Sequence, residues 1–510
     1  MSTNRKEKDD NSPLLKSEIQ FGASTQMGSA FVDRPPDGLT RLSISGYAVG
    51  HVLNDLCAAC WFNYLLYFLT EIIQIGNTAA GFVMLSGQIA DGIATPLVGI
   101  ASDKVNTPIG QRKPFYLFGY VLVVISFFFV FHQKFISSTN DLYITIYYAV
   151  GASLFNVGWA SCQISHMSLV PSLSASSKRR DVLINLRTAF TYFSNVLVLL
   201  LALMFFKFVS DPVMQFAYLE YSVLGIGSLC AFWFFFNINE VRLSKFVRRY
   251  QSILSDASRS ASAQYEAESS DIPMTYNDGE EEEFFEEKKN WRAWLKEGNF
   301  YRFASIYMFT RLAINVSMSL MAFYLGSTLG LQKMNLDGKS IQPPIQIALI
   351  PLIQYVISVI TSFATKNYVN RIGRRAAISI GFVFSAAGLT TMIFLDHETA
   401  DIMYAVAFAL GVGFCFMLNS SMSIISDYVG DKGSSGAFVY GFFSLCDKFA
   451  NGITLFFIMQ SSFMSFDSLK DACDHTKMFL RITTSIIPLA AATGAYIMAF
   501  VSVLPKKQKH

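Results

Sequence analysis

The sequence predicts an all-α membrane protein with twelve transmembrane helices. The chain has 510 residues, of which 52% are hydrophobic and only 15% are charged. A soluble protein of this length would need far more polar surface. The charges are also bunched, and between them lie twelve apolar runs of roughly 20 residues, the length that spans a bilayer core. This pattern excludes a soluble protein.

The apolar runs form two groups of six. The first group lies at 43–70, 77–102, 114–133, 142–170, 185–206 and 217–238, and the second at 301–330, 344–365, 376–395, 402–426, 434–460 and 479–503. The segment between the groups is basic, then rich in Ser and Ala, then acidic, a composition that cannot bury a core. The predicted domains are a disordered cytoplasmic tail at 1–42, an N-terminal six-helix bundle at 43–238, a disordered cytoplasmic linker at 239–300, a C-terminal six-helix bundle at 301–503 and a cytoplasmic tail at 504–510.

The basic residues predict the orientation. Loops 103–113, 171–186, 366–375 and 428–433 hold 11 Lys and Arg residues, against 6 in the opposite loops. Lys and Arg in short loops stay on the cytoplasmic side, so both termini are predicted to be cytoplasmic. The first forty residues hold no apolar segment, so no cleavable signal peptide is expected. The net charge of +3 and the absence of a basic stripe with aromatics give no sign of nucleic-acid binding.

An internal repeat relates the two groups of runs. The segment ASDKVNTPIGQRK begins at residue 101 and ATKNYVNRIGRRA begins 263 residues later. Two similar halves related by an axis along the membrane normal are typical of the major facilitator architecture, whose substrate site lies near the middle of the membrane. The identical pairs are Ala101 and Ala364, Ile109 and Ile372, Gly110 and Gly373, and Arg112 and Arg375.

The repeated loop resembles the signature of the major facilitator superfamily between spans two and three. In that superfamily its charged residues clamp the cytoplasmic gate, where charge pairs and helix ends hold one conformation. The resemblance therefore implies a role in switching and not in substrate contact. The implied gate residues are Asp103, Arg112 and Lys113 in the first copy and Arg374 and Arg375 in the second, which has Lys366 where Asp103 stands.

Polar residues inside the runs predict the binding site. Each is costly in hydrocarbon unless it faces a cavity or a partner. Both signs of charge come from both halves, which predicts a central cavity with internal charge balance. The predicted cavity residues are His51, Asn54, Asp55, Asp91, Thr95, Gln163, His166, Arg187, Arg311, Asn315 and Lys448, and further polar residues in the runs are Asn419 and Asp447.

Some of these residues have structural alternatives. Asp447 and Lys448 are adjacent on a helix and point in different directions, so they need other partners, and Lys448 could serve a purely architectural ion pair. Asn419 could hydrogen-bond between helices, a common use of Asn in membranes. His166, close to Pro171, could instead cap a helix or line the gate.

The same positions resemble the glycoside-pentoside-hexuronide cation symporters. The shared features are SLVP at 168–171, the following NLRTAF, an acid in span one and DGIATP on span two. That branch carries a second aspartate four residues after the first on span two and another on span four. This chain has Thr95 and Gln163 there, which reduces the implied sodium site to Asp55 and Asp91.

A closer resemblance within that branch is to the animal family of major facilitator superfamily domain-containing protein twelve. It rests on GYAVGHVLNDLCAACWF, GQIADGIATPLVG, GWASCQISHMSLVP, TRLAINVS and GAFVYGFFSLCDKFANG, spread over about 45–505. The resemblance implies import of cysteine into lysosomes and melanosomes. A zwitterion suits the residues: its carboxylate needs Arg187, Arg311 or Lys448, and its ammonium needs Asp55 or Asp91. Asp91 could alternatively carry a coupling proton.

The N-terminal tail adds a predicted destination. DNSPLL places Asp10 three spacer residues before Leu14 and Leu15. This form is read by clathrin adaptors for endosomal and lysosomal sorting, although such short patterns also occur by chance.

Other classes of function stay open in part. A lipid transporter is a rival because a lysophospholipid carrier belongs to the same branch, and a non-transporting receptor or scaffold is a second rival. No nucleophile–base pair or metal-ligand cluster is visible in the sequence, so neither an enzyme nor a cofactor or metal site is expected.

Overall fold

The computed structural model describes residues 38–132, 140–253, 291–334, 341–429, 436–461 and 474–502. The N-terminal half contains α1 (Arg41–Val49), α2 (Val52–Cys60), α3 (Asn77–Lys104), α4 (Lys113–Phe131), α5 (Asp141–Ser168), α6 (Val170–Leu173), α7 (Ser177–Phe208) and α8 (Pro212–Asn237). A further helix, α9, covers 240–253. The rest comprises α10 (Trp291–Trp294), α11 (Gly298–Phe323), β1 (Lys333–Met334), β2 (Ile341–Gln342), α12 (Gln346–Ile372), α13 (Arg374–Phe394), a 3₁₀ turn (Ala400–Ile402), α14 (Met403–Val429), α15 (Gly436–Gln460) and α16 (Asp474–Val501).

Ten helices within the described ranges are long and apolar enough to cross a membrane. Two predicted runs are not among them. The first run is divided into α1, α2 and two π turns, and the fourth run corresponds to α5, which carries many polar residues. The membrane-spanning, predominantly helical class is thereby confirmed, with one short antiparallel pair of strands, β1 and β2, while the number twelve stays a prediction.

Each half is held by a close helix crossing made with glycine. In the first half, α4 meets α5 where Gly119 faces Gly158, and a Cβ on Gly119 would lie 2.7 Å from the Gly158 oxygen. In the second half, α13 meets α14 where Gly381 faces Gly413, and a Cβ on Gly381 would lie 2.8 Å from the Gly413 oxygen. Small residues let backbones approach closely, which is how helices associate without a hydrophobic driving force in lipid.

The two halves meet along α3 and α15, which run antiparallel. Gly81 packs against Met459, and Gly92, eleven residues further along α3, packs against Leu445. A second contact joins α7 to α12, where the hydroxyls of Tyr192 and Ser362 are 3.4 Å apart. The two glycine contacts lie near the start of α3 and at its middle.

Helix α3 ends at one face of the membrane-spanning bundle, which we call the terminal face. The first described residues, which begin at residue 38, lie at the same face. Leu39 shares an apolar cluster with Leu173, Leu183 and Leu243, which lie around the loops on this face. Helix α9 belongs to the same layer. Its buried Leu243 and Val247 are four residues apart and therefore share one face, while Arg242 is exposed.

Helix α9 corrects the sequence-based prediction for the linker. Residues 240–253 were expected to be disordered, and they form a helix because their apolar residues recur at helical spacing and find a surface to cover. The acidic part of the linker and the predicted sorting residues Asp10, Leu14 and Leu15 lie outside the described ranges.

Both halves contain a π turn at corresponding positions. The segment Trp61–Leu65 follows α2, and Tyr324–Thr328 follows α11, 263 residues later. A second π turn, Phe68–Ile72, occurs in the first half. The sequence repeat of the loops therefore extends to an irregularity inside the first long helix of each half.

Candidate functional site

Asp91 lies at the junction of the two halves, in the middle of α3. Its side chain is almost fully buried, and both carboxylate oxygens have partners. Thr95, one turn later, donates its hydroxyl to Oδ1 at 3.1 Å, and Lys448 of α15 forms an ion pair with Oδ2. Asp91, predicted from the sequence to line a charge-balanced cavity, is thus paired with a cation from the other half.

Lys448 is enclosed by an aromatic side chain as well as by Asp91. Its Nζ lies 4.3 Å from the ring centre of Trp159 on α5, a cation–π contact. The Trp159 carbonyl accepts a hydrogen bond of 2.9 Å from Asn54 on α2. Helices α2, α3 and α5 of the first half therefore all contribute to holding one lysine of the second half.

Asp447, the neighbour of Lys448, faces a different partner. Arg311 on α11 donates from Nε to its Oδ2 at 3.1 Å, and Asn451 donates to its Oδ1 at 2.5 Å. The Arg311 side chain is 26% exposed, whereas that of Asp447 is 3% exposed. This pair lies within the second half, and its guanidinium is the accessible member. Asn315, one turn further along α11, is buried.

A third polar group surrounds Asp55 in the first half. His51 Nδ1 lies 2.9 Å from Asp55 Oδ1, and Thr191 of α7 donates its hydroxyl to Oδ2 at 2.9 Å. Arg187, one turn before Thr191, lies within electrostatic range of His51. Its Nε is buried and has no hydrogen-bond partner within the described part of the chain. An unpaired guanidinium N–H beside this group is a donor that a carboxylate could use.

His166 lies in a packed aromatic cluster near the terminal face. It stacks on Tyr47 with ring centres 4.2 Å apart, and its Nε2 is 2.9 Å from the Tyr47 carbonyl. The side chain is fully buried. The sequence left His166 as a cavity residue, a helix cap or a residue lining the gate, and the structure packs it against Tyr47 of another helix. Gln163, one turn earlier, is only half-buried and has an Oε1 without a partner among the described residues.

The loop predicted to form the gate in the first half surrounds a buried glutamate. Glu240, the first residue of α9, accepts hydrogen bonds of 2.8 to 3.1 Å from the backbone N–H groups of Gln111, Arg112 and Lys113. These N–H groups lie at the start of α4, where they lack helical partners. The carboxylate therefore caps the helix and complements its dipole. Asp103 pairs with the Arg112 side chain in the same loop.

Lys113 ties the same loop to α8. Its Nζ donates to the carbonyls of Phe235 and Ile238 at 2.8 and 2.7 Å and lies 4.2 Å from the Phe235 ring centre. A cation at the carboxyl end of a helix is favourable, because the last carbonyls lack helical partners. The loop therefore joins the starts of α4 and α9 to the end of α8.

The gate loop of the second half is held by other contacts. Arg374 forms an ion pair with Asp427, near the end of α14. Arg375 donates from Nη2 to the Ser502 carbonyl at 2.8 Å. The structure describes the backbone of Lys366 but not its side chain.

Sequence reasoning missed several residues of these groups. Trp159, Thr191 and Asn451 each contact a predicted charge, and Asn451 carried a signal, since it lies one turn after Asp447. Glu240 gave no usable signal, because a glutamate in a charged segment is normally solvated. Asn419 of α14 donates from Nδ2 to the Ser362 hydroxyl of α12 at 3.4 Å, in keeping with interhelical bonding, and also contacts Cys415 of its own helix.

Two bundles with a repeated loop and an ion pair at their junction are the arrangement of a secondary transporter of the major facilitator class. A family model described as MFS/sugar transport protein matches residues 46–505. Because this match covers most of the chain, the protein belongs to that family, whose members are transporters and not enzymes.

Curated relatives narrow the comparison. The chain is 32% identical to major facilitator superfamily domain-containing protein 12 of Homo sapiens over 458 residues, which are 85% of this chain and 87% of that protein. The protein of the same name from Equus caballus is 32% identical over 459 residues, 86% of this chain and 88% of that protein. The predicted resemblance is thereby confirmed. The crystal structure of a D-xylose-proton symporter shares the fold, with a TM-score of 0.57 at 15% identity over 89% of this chain and 95% of that one.

Proposed function

We propose that the protein carries a small zwitterionic amino acid, with cysteine as the first substrate to test, from the cytosol into lysosomes or melanosomes. The observation that carries the proposal is the pair of ion pairs Asp91–Lys448 and Arg311–Asp447, adjacent along α15. They supply two cations and two anions near the middle of the membrane helices. The resemblance to the family implies the particular substrate.

A zwitterion can take the place of both partners in such ion pairs, so that no charged side chain is left without an opposite charge. Its carboxylate suits the partly exposed guanidinium of Arg311 or the ammonium of Lys448, and its own ammonium suits Asp91. An uncharged sugar could not replace a charged partner, and a single cation or anion would leave the opposite member of the pair unpaired in a medium of low dielectric.

Alternating access gives the ion pair between Asp91 and Lys448, which joins the two halves, a second role. Asp91 and Lys448 belong to different bundles, so movement of one bundle against the other separates them. A substrate that binds both ends offsets that separation. A proton bound to Asp91 would offset it as well, and this is the proposed basis of proton coupling.

Uptake of radiolabelled cysteine into proteoliposomes tests the proposal. The wild type should accumulate cysteine, and Asp91→Asn should lower uptake by at least roughly tenfold, because Lys448 is left uncompensated. Asp396→Asn, in an exposed loop, is the matched control and should retain uptake. Near-normal uptake by Asp91→Asn, or competition by a lysophospholipid but not by other amino acids, would contradict the proposal; the second result would favour the lipid carrier.

The pH gradient separates the two roles of Asp91. If Asp91 binds a proton, wild-type uptake responds to the imposed gradient, and the residual exchange by Asp91→Asn does not. If Asp91 only holds the substrate ammonium, binding of cysteine itself is lost in the variant.

The proposed location has its own test. We propose cytoplasmic termini and delivery through a clathrin adaptor that reads Asp10, Leu14 and Leu15. Changing Leu14 and Leu15 to Ala should move the protein to the cell surface without lowering uptake activity. Unchanged lysosomal residence would remove this motif from the proposal.

A further inference from the structure

A buried carboxylate lies inside the first half, away from the junction of the halves. Glu220 is within the membrane helix α8, and its side chain is 0% exposed. It takes no part in the ion pairs on α3, α11 and α15. An ionisable residue inside a membrane helix is costly, and it is therefore a candidate functional site with a partner to be identified.

The partner of Glu220 is a histidine at the end of α4. His132 follows the last residue of α4, at the face opposite the terminal face, and its side chain is 21% exposed. Its Nδ1 lies 3.3 Å from Glu220 Oε2 and 3.4 Å from the hydroxyl of Tyr221. The Phe128 ring stacks on the imidazole with centres 4.7 Å apart. The pair thus joins an enclosed carboxylate to a partly exposed imidazole.

The second oxygen of Glu220 has no partner. Oε1 is buried and accepts no hydrogen bond within the described ranges. Besides His132 and Tyr221, the titratable groups near the carboxylate are the thiols of Cys57 and Cys60 on α2 and the phenol of Tyr147 on α5. Each of these groups is neutral or negative. Among the described residues, the imidazole of His132 is therefore the group that can supply a positive charge to Glu220.

We propose that Glu220 and His132 form a proton-binding site that holds one proton between Oε2 and Nδ1. With this proton the pair is neutral as a whole, either as an imidazolium beside a carboxylate or as two uncharged side chains. Loss of the proton would leave a negative charge in a medium of low dielectric without a cation, which is strongly unfavourable. The proton comes from the compartment at the face opposite the terminal face, and the site is separate from Asp91.

Such a site links the stability of the folded chain to pH. In an unfolded chain, histidine releases its proton near about pH 6.5 and glutamate near about pH 4.3. Above about pH 6.5 the folded pair therefore holds a proton that the unfolded chain has released. Stability then falls as the pH rises, with about a tenfold loss in the folding equilibrium constant per pH unit from this one site.

Thermal unfolding of the full chain in nanodiscs, followed from acidic to mildly alkaline pH, tests the site. Glu220→Gln removes the shared proton and should abolish the loss of stability above about pH 6.5. His132→Gln leaves the proton on Glu220 alone, so the loss should begin at a lower value, near about pH 4.3. The matched control is Glu398→Gln, the same chemical change at an exposed glutamate, which should keep the wild-type profile.

The two variants of the pair fail in different ways if the proposal is wrong. A pH profile of Glu220→Gln equal to that of the control would overturn it. A loss in His132→Gln that still begins at the wild-type pH would overturn it as well, because another group would then hold the proton, and this arm decides even if Glu220→Gln does not fold. The measurement uses no substrate, so its result is independent of the proposed transport activity.

Discussion

The two predicted gate loops occupy equivalent places in the two halves and share one kind of contact, while the described contacts of the first loop add a buried carboxylate. In the first half a buried carboxylate, Glu240, accepts from three backbone N–H groups of the loop. In the second half an arginine of the loop, Arg375, donates to the carbonyl of Ser502. Residue 502 corresponds to residue 239 at the offset of 263, so the Arg375 contact matches the one that Lys113 makes with the Ile238 carbonyl at the end of α8.

The comparison shows that a repeat preserves an arrangement more faithfully than the interactions that hold it. Gly110 and Gly373 both adopt a positive φ, 124° and 84°, in the equivalent turn. The space around them differs, since a Cβ on Gly110 would collide with Glu240, whereas Gly373 has open space. Because Glu240 fills the space beside Gly110, the two halves should respond unequally to matched changes.

The largest difference in stability loss between the two loops is expected when their equivalent glycines are replaced. Gly373→Ala should lower the free energy of unfolding by roughly 1–2 kcal/mol, the cost of a left-handed conformation for a residue with a Cβ. Gly110→Ala adds the displacement of Glu240 and should cost about 4 kcal/mol. Thermal unfolding in detergent measures both. Equal costs would show that Glu240 does not constrain the first loop.

Removing the charge of Glu240 should have the next largest effect. Glu240→Gln replaces a carboxylate at a helix start by an amide and should cost about 2–3 kcal/mol, with loss of transport. The matched control is Glu398→Gln, which changes an exposed glutamate. A loss no larger than that of the control would contradict the capping role.

The ion pair in the second loop should contribute less. The side chains of Arg374 and Asp427 are 20% and 25% exposed, so solvent screens part of their interaction. A double-mutant cycle of Arg374→Gln and Asp427→Asn should give a coupling energy of about 1 kcal/mol. A coupling as large as the effect of Glu240→Gln would abolish the distinction between the loops.

Asp103→Ala should have the smallest effect on stability. The Asp103 side chain is 65% exposed, so its pair with Arg112 should contribute less than about 1 kcal/mol. If Asp103 belongs to the gate, as proposed, transport should nevertheless fall while substrate binding persists, because the residue then biases a conformational equilibrium and does not contact substrate. Parallel measurement of uptake and binding checks this, and equal loss of both would place Asp103 in the site or in folding.

Much of the fold could be predicted because the hydrocarbon core of the bilayer fixes the length and the apolar composition of each membrane-spanning helix. The adjacency of Asp447 and Lys448 likewise predicted separate partners, since neighbouring residues on a helix point apart. The identity of those partners could not be predicted. Whether Lys448 reaches Asp91 or Asp55 depends on how two bundles pack, and that packing has no local pattern in the sequence.

Glu240 illustrates a different limit. Its segment has the composition of a solvated linker, and only the three-dimensional fold brings the start of α4 to within hydrogen-bond distance of it. Burial of a charge is decided by the surface that covers it. His166 shows the converse, because a polar residue in a membrane helix proved to pack against Tyr47 in an aromatic cluster.

The paired π turns bear on the history of the chain. A π turn usually interrupts an α-helix as a local bulge, and such bulges are rare. Finding one at Trp61–Leu65 and another at Tyr324–Thr328, separated by the same 263 residues as the loops, is most simply explained by an irregularity that preceded duplication of an ancestral gene. That ancestor would have encoded a single bundle of half the present size. To enclose a path across the membrane, it would have had to assemble with a second copy of itself.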